Sequence, residues 1–403
     1  MDKPKSISSL VKELPKSPWP ASVGQTHGAY PFFLSGPTPK WCDEYLHDGT
    51  AIVLSTGGNA AIHLGQEKFG YSTDCWALEP RPEEVFPQYL YYWLVNEQER
   101  IDIHGFEGSG LRHLRKNYVR ELSLLPPQLP EQEKIAEVLS TLDRAIEQTD
   151  ALIAKQKRIK TGLMQDLLTK GIDAHGNIRS EATHAFKDSP LGRIPVEWDI
   201  SPAENLCEAV IDCKNRTPPE TADGHPVIRT PNVRNGEFVW TDLAFTDPSS
   251  YEIWTSRGQP RAGDVVITRE APFGEACIIP KQLFAPCLGQ RMMMYQPDAN
   301  KVRADYLVYA IYSQRVQKRL VELAGGSTVG HIRVGDIRTL PIPHPIDVKE
   351  QENIASALNG ISVALKGAAN NQSKLISLKA GLMRDLLTGE RRVTALLAQA
   401  VTQ

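Results

Sequence analysis

Two stretches of the chain carry apolar residues at alternating intervals of four and three positions. Such spacing places the apolar positions on one helix face, as in the seam of a coiled coil. An ordinary core helix carries the same stripe, but two matching stripes of unusual length favour a coil of one helix against the other. The seam positions are Ile135, Leu139, Leu142 and Ile146 in the first stretch, and Ile354, Leu358, Ile361 and Leu365 in the second.

Helix boundary signals flank both stretches. Asp347 and Glu350 form a capping box at the start of the second stretch. Lys170 followed by Gly171 is a typical helix end, with a cation in the last turn and a residue that tolerates a left-handed backbone. A helix over 131–169 would be about 58 Å long at ~1.5 Å per residue.

The chain also repeats itself. The decamers "GLMQDLLTKG" and "GLMRDLLTGE" begin at Gly162 and Gly381, 219 positions apart. The alignment continues without a gap back to "EQEKIAEVLSTL" at Glu131 and "EQENIASALNGI" at Glu350. Self-similarity at a fixed offset indicates two modules that end in the same element. If a pseudo-two-fold axis relates the modules, the two helices run antiparallel.

The segments outside the helices predict two globular heads. Short apolar stretches such as "GTAIVLST" and "AGDVVITRE", bounded by Gly and Pro, predict strands. One late helix is predicted in each head, and the two head sequences do not align with each other. The predicted fold class is α+β, with two strand-rich heads separated by two long helices that form an antiparallel coiled coil.

The predicted domain boundaries follow these elements. The polar stretch "IDAHGNIRSEATHAFKDS" is typical of a linker between the halves. We expect head one over 1–128, a central repeat helix over 129–171, the linker over 172–189, head two over 190–346, a distal repeat helix over 347–389 and a C-terminal tail over 390–403.

The charge balance limits the possible partners. Head one has 12 basic and 15 acidic residues, and 172–346 has 19 and 21. This excludes a polycationic DNA-coating protein, so a nucleic-acid role would need local basic patches or basic partners. None of the six cysteines forms a C-x-x-C pair, and no run approaches the length of a signal peptide core or a membrane span. We therefore expect reduced thiols and a cytoplasmic location.

The repeated element carries a specific pattern, L-P-x-P followed by E-Q-x-x-I-A and a long helix ending in G-L-M-x-D-L-L-T. The first copy has "LLPPQLPEQEKIAEVLSTLD" and "KTGLMQDLLTKG", and the second has "LPIPHPIDVKEQENIASAL" and "KAGLMRDLLTGE". This pattern resembles the specificity subunits of type I restriction–modification enzymes. "LGRIPVEW" (191–198) also resembles the usual entry into the second recognition domain of that family.

The resemblance implies a non-catalytic DNA-recognition subunit. Its two target-recognition domains would each read one half of a split, asymmetric site in double-stranded DNA. Two methyltransferase (modification) subunits would dock on the helices, so the eight seam positions are also expected docking positions. Two nuclease and translocase subunits would join in a complete restriction enzyme. S-adenosylmethionine, and ATP with Mg²⁺ where a nuclease subunit is present, would be bound by these partners.

The two copies differ in places. Ser362 stands where the first copy has Asp143. Gly360 and Gly367 are expected to weaken the second helix by about 1 kcal/mol each relative to alanine.

An enzyme is the main alternative function. "FEGSG" (106–110) mimics the F-x-G-x-G loop that binds a methyl donor, but that loop needs a preceding strand and the residues before it predict a helix. The sequence has no N-P-P-Y stretch to hold a flipped adenine. We therefore expect no catalytic residue and no metal ligand in this chain. Two further alternatives are the specificity subunit of a modification-only methyltransferase and a free-standing DNA-binding scaffold.

The DNA-contacting residues are predicted from chemical type and from their place in loops. Arg and Asn suit the edges of guanine and adenine, and Ser, Thr and backbone N–H groups suit phosphates. Any one of the arginines could instead be a solvated surface charge, and His331 could cap its turn. The candidates are Lys40, Ser55, Thr56, Asn59, Ser109 and Arg112 in head one, and Arg229, Asn232, Arg234, Arg269, Ser327 and His331 in head two.

Overall fold

The structure is a computed structural model that describes residues 3–325 and 330–394. The chain divides into two compact units. The first unit consists of Met1–Leu152 with Ala368–Gln403, and the second unit is Ile153–Gly367. Each unit therefore contains one head and a part of each long helix.

Head one contains two four-stranded sheets. The first is antiparallel throughout, in the order Val11–Glu13, Cys75–Pro80, Ala51–Ser55 and Ile62–Gly65. The order in the second is Lys40–Cys42, Tyr30–Phe33, Lys68–Tyr71 and His47–Asp48, and its two middle strands are parallel.

The strand Ala51–Ser55 lies between two cores, and all five of its residues are buried. Ile52 and Leu54 belong to the core that contains the helix Pro87–Asn96. Val53 belongs to the core on the opposite face, with Phe33 and Phe69. Because successive side chains of a strand point to opposite faces, a strand covered on both faces is apolar throughout. This explains the continuous run "AIVL" in the sequence.

Head two has the same strand order. Its antiparallel sheet runs Cys207–Asp212, Met292–Pro297, Val265–Arg269 and Phe273–Ile278. A second sheet runs Ala244–Thr246, His225–Ile228 and Cys287–Leu288, with the last two strands parallel. The two heads therefore share a topology, although their sequences do not align with each other. The pattern of burial is shared even though the residues that create it differ.

Short elements complete both units. The remaining strands are Lys5–Ser6, Phe106–Glu107, His113–Leu114, Ser123–Leu124, Phe186–Lys187, Ile194–Pro195, Trp198–Pro202, Val233–Arg234, Glu237–Phe238 and Pro341–Pro345. The shorter helices are Ile7–Leu10, Pro87–Asn96, Gln98–Gly105, Lys116–Glu121, Pro248–Trp254, Ala304–Ile311, Gln314–Leu323 and Val334–Arg338, and 3-10 turns are Ala21–Val23, Ala203–Leu206 and Thr230–Asn232. All six cysteines are buried and unpaired.

Two long helices confirm the predicted fold class. The central helix is Leu129–Leu167 and the distal helix is Val348–Leu387. Hydrogen-bonded turns follow the central helix, and the chain then reaches Gly171 with a φ of 65°. This is the left-handed ending that the sequence predicts, although the regular helix stops a turn earlier.

The two long helices pack antiparallel. In the first unit, Asp143 pairs with Lys379, and Asp150 accepts a hydrogen bond from Gln372. A step forward along the central helix is thus a step backward along the distal helix. In the second unit, the residues that share one core across the two helices are Leu163, Met164 and Leu167 with Ile354, Ala355 and Leu358.

The eight seam positions separate into two groups. Ile135, Leu139, Ile354 and Leu358 are at most 1% exposed and belong to the cores of the two heads. These four therefore fix a long helix to its own head, and their predicted second role in partner docking is wrong because no surface is left. The others, Leu142, Ile146, Ile361 and Leu365, are half-buried.

Each long helix begins at a buried glutamate that binds an arginine, an arrangement we call the carboxylate clasp. In the second unit, Glu350 accepts hydrogen bonds from Arg179 at 2.5 and 2.9 Å and from the Trp198 indole at 3.0 Å. In the first unit, Glu131 accepts from Arg392 at 2.8 and 2.6 Å. Arg179 lies in the predicted linker, which is therefore bound to the second unit.

The glutamine that follows each clasp glutamate is also buried. Gln132 accepts a hydrogen bond from the Phe86 N–H at 2.8 Å, and Gln351 accepts one from the Arg303 N–H at 2.9 Å. Phe86 and Arg303 immediately precede the late helices of the two heads. The repeated "EQ" thus joins a long helix to the start of a head helix, where backbone N–H groups lack helical partners.

Candidate DNA interface

In head one, two loops form one surface at the end of the strand Ala51–Ser55. The Leu114 N–H donates to the Thr56 carbonyl at 3.0 Å, and the Gly58 N–H donates to the Arg112 carbonyl at 2.9 Å. This joins the loop 56–61 to the hairpin 106–114, which contains the exposed Ser109. Predicted residues that are far apart in the sequence are therefore neighbours here.

Head two has the same junction. The Ile332 N–H donates to the Arg269 carbonyl at 3.1 Å, as the Leu114 N–H does to Thr56 in head one. Arg269 ends the strand that corresponds to Ala51–Ser55. Thr56 and Arg269 therefore occupy equivalent positions in the two heads and present different chemistry, a hydroxyl in one and a guanidinium in the other.

Several head-one candidates hold the loop in place. Ser55 is 1% exposed, and its hydroxyl donates to the Asn59 carbonyl at 2.7 Å and accepts from the Ala61 N–H at 2.9 Å. The predicted phosphate contact of Ser55 is wrong because the side chain is enclosed. Arg112 donates to the Asp102 carboxylate at 3.0 Å.

Asp102 receives a second contact, from the Ala60 N–H at 2.6 Å. The Ala60 N–H, together with the Arg112 guanidinium, holds the pKa of Asp102 below its usual range. Arg112 therefore acts first as a support for the loop. Thr56, Asn59 and Ser109 keep exposed surface, and Lys40 is exposed on the other sheet of head one.

Arg269 is the strongest candidate in head two. Its side chain is half-buried, and its Nε is buried without a hydrogen-bond partner in the part of the chain that the structure describes. The neighbouring Glu270 contacts Arg291 at 3.2 Å and His331 at 3.4 Å. The guanidinium of Arg269 is thus held at the junction without a carboxylate partner among the described residues.

Two residues at this junction, Glu270 and Arg291, were not among the candidates predicted from the sequence. Arg291 directly precedes a neighbouring strand and has a φ of 73°. In the sequence it stands just before "MMM", and nothing in that stretch indicates a contact with Glu270. A carboxylate can accept a hydrogen bond from cytosine N4, which makes Glu270 a chemically suitable reader as well.

The other predicted arginines of head two are engaged in the protein. Arg229 donates to the Asp242 carbonyl at 2.6 Å, and Arg234 donates to the carbonyls of Thr230 and Val233 at 2.7 Å. Both retain partial exposure. Ser327 lies outside the described residues.

The prediction that Asn232 contacts DNA is wrong. Asn232 has no exposed surface, and its side chain accepts from the Arg229 N–H at 3.0 Å and donates to the carbonyls of Val239 and Thr241 at 3.1 and 3.3 Å. All its polar atoms are used within the head. Asn232 therefore shapes a loop and does not reach a base.

Replacing Asn232 with alanine should destabilise the second unit by about 1–3 kcal/mol, because three backbone groups lose their partner in a buried place. Denaturant unfolding followed by tryptophan fluorescence measures this. Asn215→Ala is the control, since Asn215 is an exposed asparagine of the same head. Unchanged stability with a relaxed DNA preference would restore the base-reading interpretation.

The methyl-donor alternative finds no structural support at "FEGSG". The helix Gln98–Gly105 precedes the two-residue strand Phe106–Glu107, so the strand that such a loop needs is replaced by a helix. Residues 3–325 and 330–394 contain no group of three or more His, Cys, Asp or Glu side chains placed to hold a metal ion. Over the same residues, no helix is both long and apolar enough to span a membrane.

Comparisons with known proteins agree on one family. The profile described as type I restriction modification DNA specificity domain matches residues 5–156 and 195–372. The type I restriction enzyme MjaVIII specificity subunit of Methanocaldococcus jannaschii is 26% identical over 383 residues, which cover 89% of this chain and 87% of that protein. The putative MjaX specificity subunit of the same organism is 24% identical, over 83% of this chain and 76% of that protein.

Solved structures show the same fold. The crystal structure of the type I restriction–modification S subunit from M. genitalium aligns with a TM-score of 0.67 over 95% of each chain, at 15% sequence identity.

Proposed function

The chain belongs to the DNA specificity subunits of type I restriction–modification systems, and we propose that its two heads read the two halves of one bipartite, asymmetric DNA target. The observation that carries this proposal is the repeated junction. Thr56 in head one and Arg269 in head two hold equivalent places but offer different hydrogen-bonding groups. Because base identity is read by such groups, the two heads would recognise different bases.

We also propose that two methyltransferase subunits dock on the repeated elements of the long helices. Support comes from apolar side chains exposed at the same place in both copies. Ile159 of "RIKTGLM" is 42% exposed, and Leu378 of "SLKAGLM" is 51% exposed. Exposed apolar side chains that recur in an internal repeat are typical of surfaces that bind a partner.

Catalysis would then lie in the partners. The methyltransferase subunits would bind S-adenosylmethionine and methylate adenine. Nuclease subunits, where present, would bind ATP with Mg²⁺. The chain itself would contribute recognition and assembly, in the cytoplasm as the sequence predicts. A modification-only system needs the same contribution from this chain.

Arg269→Ala tests the reading of one half-site. When the variant is co-expressed with its methyltransferase, we expect methylome sequencing to show relaxed preference in one half of the target and no change in the other. A good base contact contributes roughly 1–3 kcal/mol of discrimination, which is about a 5- to 150-fold effect. Arg261→Ala is the control, since Arg261 is exposed before the opposite end of the same strand.

Loss of preference in both halves would mean that Arg269 supports folding or docking. An unchanged methylome would exclude it as a reader.

A further inference from the structure

In the first unit, a tyrosine, an aspartate and a lysine from three helices form one contact. The Tyr92 hydroxyl of the head helix donates to the Asp143 carboxylate at 2.6 Å. Lys379 of the distal helix pairs with the same carboxylate and lies 5.5 Å from the centre of the Tyr92 ring. Asp143 therefore neutralises Lys379 and holds Tyr92 of the head helix.

The equivalent place in the second unit lacks the aspartate. Tyr309 ends "YLVY" as Tyr92 ends "YLYY", and Lys160 begins "KTGLM" as Lys379 begins "KAGLM". Ser362 takes the place of Asp143. The Tyr309 hydroxyl donates instead to Asn359 at 2.8 Å.

A cavity of about 530 Å³ lies where the aspartate would be. Lys160, Tyr309 and Ser362 line it, together with apolar side chains that include Met164, Val308 and Val363. All of its lining residues belong to the second unit.

Lys160 is the unbalanced charge of this cavity. Two carboxylates also line it, but Glu237 pairs with Lys366 at 3.3 Å and Asp305 pairs with Arg303 at 2.9 Å. No carboxylate of the described residues lies within the 4.0 Å ion-pair distance of Lys160. The cavity thus offers an ammonium group without a carboxylate partner among the described residues, next to a hydroxyl and several apolar side chains.

We propose that this cavity receives an aspartate or glutamate side chain of a docked methyltransferase subunit. Its carboxylate takes the place next to Lys160 that Asp143 occupies next to Lys379. This inference rests on the proposed function, because it needs the docked subunit as the source of the acidic residue.

The lining favours a protein side chain over a phosphate. Among the described residues that line the cavity, Lys160 is the one cation without a carboxylate partner, whereas phosphate sites in proteins usually combine several donors. The volume far exceeds that of a carboxylate, and the apolar walls suit the carbon atoms of an inserted segment. Charge and shape together therefore fit an acidic residue flanked by apolar ones.

The broken symmetry has a consequence for assembly. Two identical methyltransferase subunits cannot make identical contacts, because the same acidic residue would meet Asp143 in the first unit. Like charges at close range repel, and a paired charge in a partly buried site stabilises binding. One subunit should therefore bind more tightly than the other.

Titration of the full chain with its purified methyltransferase subunit, by calorimetry and native mass spectrometry, tests this. The unmodified chain should bind two subunits with affinities that differ on the order of tenfold or more. Lys160→Ala should weaken the tighter step to about the weaker one. Ser362→Asp should do the same, because it supplies an internal carboxylate to Lys160. Lys157→Ala is the control, since Lys157 is an exposed lysine of the same helix outside the cavity.

The outcomes are distinguishable. If the unmodified chain binds no methyltransferase, the proposed function itself fails. If it binds two subunits and neither Lys160→Ala nor Ser362→Asp changes either step, the cavity is not a docking site. If Lys160→Ala loses binding but Ser362→Asp binds fully, the partner's carboxylate does not take the place that Asp143 occupies in the first unit, and the proposal is contradicted. Self-association that Lys160→Ala abolishes would assign the cavity to a second copy of this chain and overturn the proposal.

Discussion

Glu350→Gln is expected to lower the free energy of unfolding of the second unit by about 3–5 kcal/mol, the usual cost of breaking one side of a buried ion pair. Glu350 and Arg179 are 9% and 7% exposed at their side chains. The substitution keeps the shape and leaves the Arg179 charge without its carboxylate in a place that water barely reaches. Denaturant unfolding monitored by tryptophan fluorescence reports it directly, because Trp198 is itself bonded to Glu350.

The first unit supplies the matched control. Glu131→Gln breaks the equivalent contact, but the side chain of Arg392 is 56% exposed and stays hydrated when unpaired. The loss of stability should therefore be clearly smaller. The double variant Glu350→Gln with Arg179→Met should recover much of the loss, since no buried charge remains. Equal losses at Glu350 and Glu131 would show that burial of the arginine is not the cause.

The long helices were predictable because one local pattern determines them. The apolar stripe and the boundary residues near Asp347 and Gly171 define both helices, and these features are close together in the sequence. The clasp was not predictable in this way. Glu350 reads as an exposed acid in the first turn of a helix, and its partner Arg179 lies 171 positions away in a polar stretch.

The shared strand order of the heads could not be predicted from the sequence for a related reason. Strand order depends on which strands bury their faces together, and different apolar residues serve equally well. In head one the strand Ala51–Ser55 fills this place, and in head two Val265–Arg269 does. Comparison residue by residue cannot recognise the equivalence, whereas the hydrogen-bonded order of strands shows it.

Within the DNA interface, residue type alone was a poor guide. Asn232 and Arg269 had equal support from the sequence, since both are suited to base edges. The structure distinguishes them by their hydrogen bonds. All polar side-chain atoms of Asn232 bond to backbone groups, whereas the Nε of Arg269 has no partner among the described residues. Whether such a side chain bonds to the protein's own backbone depends on the conformation of the folded loop, so residue type alone does not predict it.

The internal repeat leads to an expected result for half of the chain. A fragment over 1–189 should form a homodimer, because its own helix end can replace the missing part of the first unit. In the whole chain, the core of head one includes Met383, Leu386 and Leu387 of the distal helix. The equivalent residues are Met164 and Leu167 of the central helix and Leu168 directly after it, of the same types, which belong to the corresponding core in the second unit.

The clasp determines how far this fragment must extend. Arg392 is absent from it, so the Glu131 of one copy needs another arginine, and Arg179 performs that role for Glu350. Sedimentation equilibrium should therefore show a dimer for 1–189 that is about tenfold or more tighter than for 1–189 carrying Arg179→Ala, because the latter leaves a buried glutamate unpaired. With methyltransferase, the dimer should modify a palindrome built from the half-site of head one. If 1–189 is monomeric both with and without Arg179→Ala, the two helix ends are not interchangeable, in spite of their matching residues.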